Sequence, residues 1–88
     1  MPVVTLDERT IYFARGAFVR HIYAATRPAA AGAFDAPKLV PELDSTFDQF
    51  PDWISDDQCR IYFSSNRPAP GDDGTQPIWR FWVAERAR

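Results

Sequence analysis

The residues able to do chemistry in this chain of 88 are few and scattered. Asp7 and Asp57 each follow a hydroxyl residue by two positions, in Thr5-Leu6-Asp7 and Ser55-Asp56-Asp57. An Asp so placed accepts hydrogen bonds from backbone N–H groups two residues on and fixes a turn. Thr5, Asp7, Ser55 and Asp57 are therefore assigned to turn structure rather than catalysis. Asp52, Asp56, Asp72 and Asp73 are the oxygen donors open to a calcium ion, which needs about six or more converging oxygens. Their spacing matches no calcium loop, so they read as solvated loop carboxylates. His21 is the only histidine, and with no second His and no Cys-x-x-Cys a zinc site lacks a ligand set. Ser64 or Ser65 joins His21 and an Asp into a triad only on paper, since no Gly-x-Ser-x-Gly elbow is present. Cys59, the single cysteine, has no basic cluster to favour its thiolate. No phosphate loop or Gly-rich nucleotide motif occurs. These residues predict no catalytic group, no metal and no cofactor.

Binding is better served. Arg67 carries a planar fork that can pair with a carboxylate of a neighbouring sheet or reach a ligand. Trp79 follows a long loop after Pro77, and a loop-borne Trp among Gly and Asp suits contact with a peptide or sugar. Arg67 and Trp79 are the candidate ligand-binding residues. Trp53, Trp82, Tyr12, Tyr23 and Tyr62 read as core. The net charge of −2 provides no basic stripe, so neither nucleic acid nor an anionic membrane is an expected partner. A protein or peptide is.

The elements that position these residues are strands. Aromatic residues make up 15% of the chain and apolar residues 45%, which excludes a disordered tail. Eight prolines argue against a helical bundle. No apolar run approaches the roughly 20 residues of a membrane span. No signal-peptide pattern follows Met1, so the expected location is cytoplasmic unless a leader was removed, in which case it is periplasmic or extracellular. β-Branched and aromatic runs bounded by Asp, Ser, Gly and Pro predict seven strands, over 3–6, 10–14, 21–26, 38–43, 51–55, 60–64 and 81–85. The run 38–43 is expected at an edge, because Pro41 lacks the N–H that a central strand needs.

Two halves of the chain repeat. Ile11-Tyr12-Phe13 recurs fifty positions on as Ile61-Tyr62-Phe63, and Thr5 and Asp7 fall on Ser55 and Asp57. His21-Ile22-Tyr23-Ala24-Ala25-Thr26-Arg27 aligns with Arg80-Phe81-Trp82-Val83-Ala84-Glu85-Arg86 at an offset of 59. The extra residues lie in a loop through Gly71-Asp72-Asp73-Gly74. A period of about 50 residues with several strands per unit points to propeller blades.

The second copy resembles the repeat of the TolB-type, WD40-like β-propellers. The resemblance rests on the acidic lead-in 44–50, the turn Ser55-Asp56-Asp57-Gln58, and Ile61-Tyr62-Phe63-Ser64-Ser65-Asn66-Arg67-Pro68. In the first copy it rests on Ile22-Tyr23-Ala24-Ala25-Thr26-Arg27-Pro28. Gln58 stands where that repeat has Gly, and His21 and Arg80 stand where it has an acid. The resemblance implies an all-β fold of two antiparallel blades in an incomplete propeller. Residues 1–46 would form the first unit, and 47–88 a second that lacks its outer strand. It also implies a non-catalytic protein- or peptide-binding or scaffolding module, either self-associating or part of a longer propeller. The alternative is the propeller portion of a larger hydrolase or glycan-processing enzyme whose catalytic residues lie outside this chain.

Overall fold

Runs of β-branched and aromatic residues between turn sequences give seven strands in the computed structural model, which describes residues 2–73 and 77–86. They are β1 (Val3–Val4), β2 (Thr10–Arg15), β3 (His21–Thr26), β4 (Lys38–Leu39), β5 (Gln49–Ile54), β6 (Arg60–Ser65) and β7 (Arg80–Glu85). They form two antiparallel sheets, β1-β2-β3-β4 and β5-β6-β7, so the fold is all-β. Gly74, the end of the expected loop turn, lies outside the described residues.

The run expected as one strand over 38–43 is shorter. After Leu39 the chain leaves the sheet, and Pro41–Leu43 forms a 3₁₀ turn that ends with Leu43 buried in the core. Pro41 fixes φ near the helical value and has no N–H to give a ladder, so the strand stops ahead of it. β1 likewise spans two residues rather than four, because Thr5 already belongs to the turn.

The two turns have the same construction. The Glu8 N–H donates to the Thr5 carbonyl (2.8 Å) and the Gln58 N–H to the Ser55 carbonyl (2.8 Å). The Thr5 hydroxyl donates to Asp7 and the Ser55 hydroxyl to Asp57, each at 2.6 Å. The Arg9 and Cys59 amides donate to those same carboxylates at 3.0 and 2.9 Å. Glu8 and Gln58 adopt the left-handed backbone region, at φ 58° and 62°. Their carbonyls accept from the Nε of Arg27 (2.8 Å) and Arg86 (3.0 Å), which tie each turn to the third strand of its sheet.

The sheets pack face to face around Val3, Tyr12, Ile22, Leu43, Ile54, Ile61 and Phe63, with Ala24, Val40, Trp82 and Ala84 against them. β5 lies across β1, β2 and β3. The two sheets do not bury equivalent faces. Tyr12 and Ile22 of the first sheet are buried, while their counterparts Tyr62 and Phe81 in the second lie on its outer face. Conversely, Ile61 and Phe63 are buried while Ile11 and Phe13 remain half-exposed. Ile22 is 0% exposed and Phe81 80%. The stacking is therefore head to tail.

Candidate functional site

The outer face of the second sheet carries large apolar side chains that its own fold leaves uncovered. Cross-strand neighbours Phe50, Ser64 and Phe81 form one row, and Trp53, Tyr62 and Val83 the next. A bulge between Pro51 and Trp53 makes this possible. Strict alternation from Pro51 would turn Trp53 inward, but the extra residue Asp52 resets the phase. Trp53, read from the sequence as core, is consequently 52% exposed and tilted against Tyr62, with ring centroids 5.3 Å apart. Trp79, just ahead of β7, extends the face by packing on Phe50 (5.5 Å). Phe81 and Val83 project from β7 with little cover.

At one end of this face Arg20, Phe50, Ser64, Trp79, Arg80 and Phe81 line an open groove of about 370 Å³. Its cations are already committed. Arg20 reaches across from the first sheet, with Nε and Nη2 donating to Asp48 (2.9 and 3.0 Å) and the guanidinium lying 4.8 Å over the Phe50 ring. The Arg20 amide donates to the same carboxylate (2.9 Å). These bonds hold the Asp48 carboxyl below its ordinary value and push Arg20 up. Arg80 forks onto Asp72 at 2.5 and 2.7 Å, lowering that carboxyl in the same way. Ser64 donates to Asp52 (2.7 Å). A groove with aromatic walls and internally neutralised charges favours uncharged, apolar chain over an anion.

Arg67 lies on the other side of the sheet. Its guanidinium sits 4.9 Å over Phe63 and 5.8 Å over Trp82. Nη2 donates to the Leu43 carbonyl (2.8 Å) and the Gln49 side chain (3.1 Å), and Nε to Ser65 (3.1 Å). Burial pushes its pKa down. The structure thus places Arg67 and Trp79 on opposite faces. Arg67 ties the 3₁₀ turn to the second sheet, and Trp79 belongs to the exposed face.

The remaining chemistry-bearing residues stay apart. His21 Nδ1 lies 2.5 Å from Asp44, while Ser65 donates to the Asp48 carbonyl. Among the described residues neither Ser64 nor Ser65 bonds His21, and no group of three His, Cys, Asp or Glu side chains is placed to hold a metal ion. No helix among them is long and apolar enough to cross a membrane. Sequence reasoning missed Phe50, Phe81 and Val83 as surface residues. The signal available was the mismatch between Ile22 and Phe81 at matched repeat positions. No family model, curated protein or solved structure matches this chain.

Proposed function

We propose that this chain forms two consecutive blades of a TolB-like β-propeller and serves as a non-catalytic protein- or peptide-binding or scaffolding module. On this reading its uncovered sheet faces take up neighbouring blades, from further copies or from further repeats. The observation that carries it is the head-to-tail stack. The face buried on the first sheet, with Tyr12, Ile22 and Ala24, corresponds to the exposed face of the second, with Tyr62, Phe81 and Val83. The outer face of the first sheet, with half-buried Ile11, Phe13 and Tyr23, corresponds to the buried face of the second. Each end of the pair therefore offers the mate of the other. Such heterologous contacts propagate into rings or filaments, unlike a self-complementary dimer. Exposed apolar patches of this kind mark interfaces. Among the described residues His21 is bonded to Asp44 and apart from Ser64 and Ser65, which supports the non-catalytic part.

Sedimentation of two variants tests it. Phe13→Asp spoils one end and Phe81→Asp the other, and every contact needs one of each, so each variant alone should stay monomeric. Mixed together, they should still pair one to one through their intact faces. Wild type that remains a cooperatively folded monomer at micromolar concentration refutes the reading.

A further inference from the structure

We infer that the free edge of β7 is a docking site for an extended peptide, which adds antiparallel as a fourth strand of the second sheet. The inference rests on the binding-module reading but does not need the head-to-tail assembly. Among the described residues the first sheet has four strands and the second three, β7 pairing with β6 alone. The Arg86 amide bonds the Cys59 carbonyl (2.9 Å), so the even-numbered residues of β7 face β6. Alternation then turns the N–H and C=O groups of Phe81, Val83 and Glu85 outward.

The first sheet shows what such an edge accepts. There Lys38 lies opposite Ala24 and Leu39 opposite Tyr23, and the Val40 amide donates to the Ile22 carbonyl (3.0 Å). The Asp35 amide donates to the Thr26 carbonyl (2.7 Å), and its carboxylate accepts from the Thr26 amide (2.8 Å). Moved by the repeat offset of 59, these contacts fall on Phe81, Trp82, Val83 and Glu85. The edges are also protected differently. β4 is two residues long, carries Lys38 and is flanked by Pro37 and Pro41. β7 runs six residues as Arg80-Phe81-Trp82-Val83-Ala84-Glu85, with no Pro, no Lys and an unbroken register against β6. Proline, lysine, bulges and short length are among the devices that keep edges from pairing, and β7 has none of these, its charges Arg80 and Glu85 standing only at its two ends. The occupant is therefore an extended polypeptide with an apolar residue beside Phe81, the place Val40 takes beside Ile22 in the first sheet, where an added strand gains both ladder bonds and side-chain cover.

The test is titration of the ¹⁵N-labelled chain with a synthetic peptide of its own residues 35–42, Asp-Ala-Pro-Lys-Leu-Val-Pro-Glu. Amide shifts should concentrate at Phe81, Val83 and Glu85, and their hydrogen exchange should slow by about tenfold or more at saturation. The same peptide N-methylated at its valine should lose the effect. So should Val83→Pro, which deletes an outward N–H and leaves the β6 ladder intact; Phe81→Lys blunts the edge without proline. No shift at millimolar peptide overturns the inference. Shifts at Ile22, Ala24 and Thr26 instead, meaning exchange into the first sheet, also overturn it. A chain that is monomeric yet gains protection at β7 would refute the assembly and leave the edge site standing.

Discussion

Phe63 and Tyr62 are adjacent in β6, yet truncating them should have very different costs. Phe63 is 3% exposed and faces Ile54, Ile61 and the Arg67 guanidinium. Phe63→Ala removes roughly 1.5–3 kcal/mol of burial and leaves a cavity under β7, which brings the usual cost for such a site to about 3–5 kcal/mol. Loss of the Arg67 cation–π contact adds about 0.5–1 kcal/mol. A chain of this size has a total stability of only about 4–13 kcal/mol, so the variant should lose roughly a quarter of it or more. Tyr62 is half-buried on the outer face against Trp53. Tyr62→Ala should cost about 1–2 kcal/mol, the partial burial plus an aromatic pair. Urea unfolding followed by Trp fluorescence measures both at a concentration where the chain is monomeric. Equal costs for the two, or a Phe63→Ala cost under about 1 kcal/mol, would show that the core does not lie on this face.

Asp48→Asn should cost about 1–3 kcal/mol by weakening the Arg20 contacts between the sheets. The native state holds the Asp48 carboxyl below its unfolded value of about 4. Its stabilisation is thus present above that value and is lost as pH falls through the depressed native one. The urea-midpoint gap between wild type and Asn variant should therefore close in acid, and a gap that persists at pH 2 rejects the linkage. Gln58→Gly should leave stability unchanged or slightly raised, whereas Gln58→Val should cost about 1–2 kcal/mol, because φ at this turn is 62°. Thermal melts of the two variants in the reverse order would contradict the turn geometry. Trp82→Phe should cost less than about 1 kcal/mol, since the indole N–H is buried without a hydrogen-bond partner. A larger loss in chemical unfolding would reveal an acceptor.

Much of the fold was legible in local chemistry. The number, order and turns of the strands follow from the spacing of β-branched and aromatic residues and from the repeated hydroxyl-x-Asp turn. Ends were less legible where one residue decides them, as at Pro41, which converts an expected strand end into a 3₁₀ turn. The candidate site was hardly legible. A single bulged residue, Asp52, changes which face Trp53 occupies, and nothing in the pattern Phe-Pro-Asp-Trp-Ile announces that slip. The placement of Arg67 was hidden for a related reason. Its acceptors, Leu43 and Gln49, are more than fifteen residues away along the chain and meet it only once β5 pairs with β6 and the 3₁₀ turn folds back beside them.

The head-to-tail relation also bears on what the isolated pair of sheets can be. A self-contained sandwich buries the apolar faces of both sheets against each other and presents polar outer faces, giving clean alternation along every strand. Here β6 and β7 carry apolar residues at consecutive positions, Ile61-Tyr62-Phe63 and Phe81-Trp82-Val83-Ala84. One sheet-to-sheet contact uses only half of these. Tyr62, Phe81 and Val83 remain on the side away from the core, as do Ile11, Phe13 and Tyr23 of the first sheet. The second sheet already meets a face of the Tyr12 and Ile22 type with residues of the Ile61 and Phe63 type. Ile11 and Phe13 supply that second type again at the far end of the pair. One more copy set against Phe81 and Val83 would thus repeat a contact the molecule already makes, rather than require a new one.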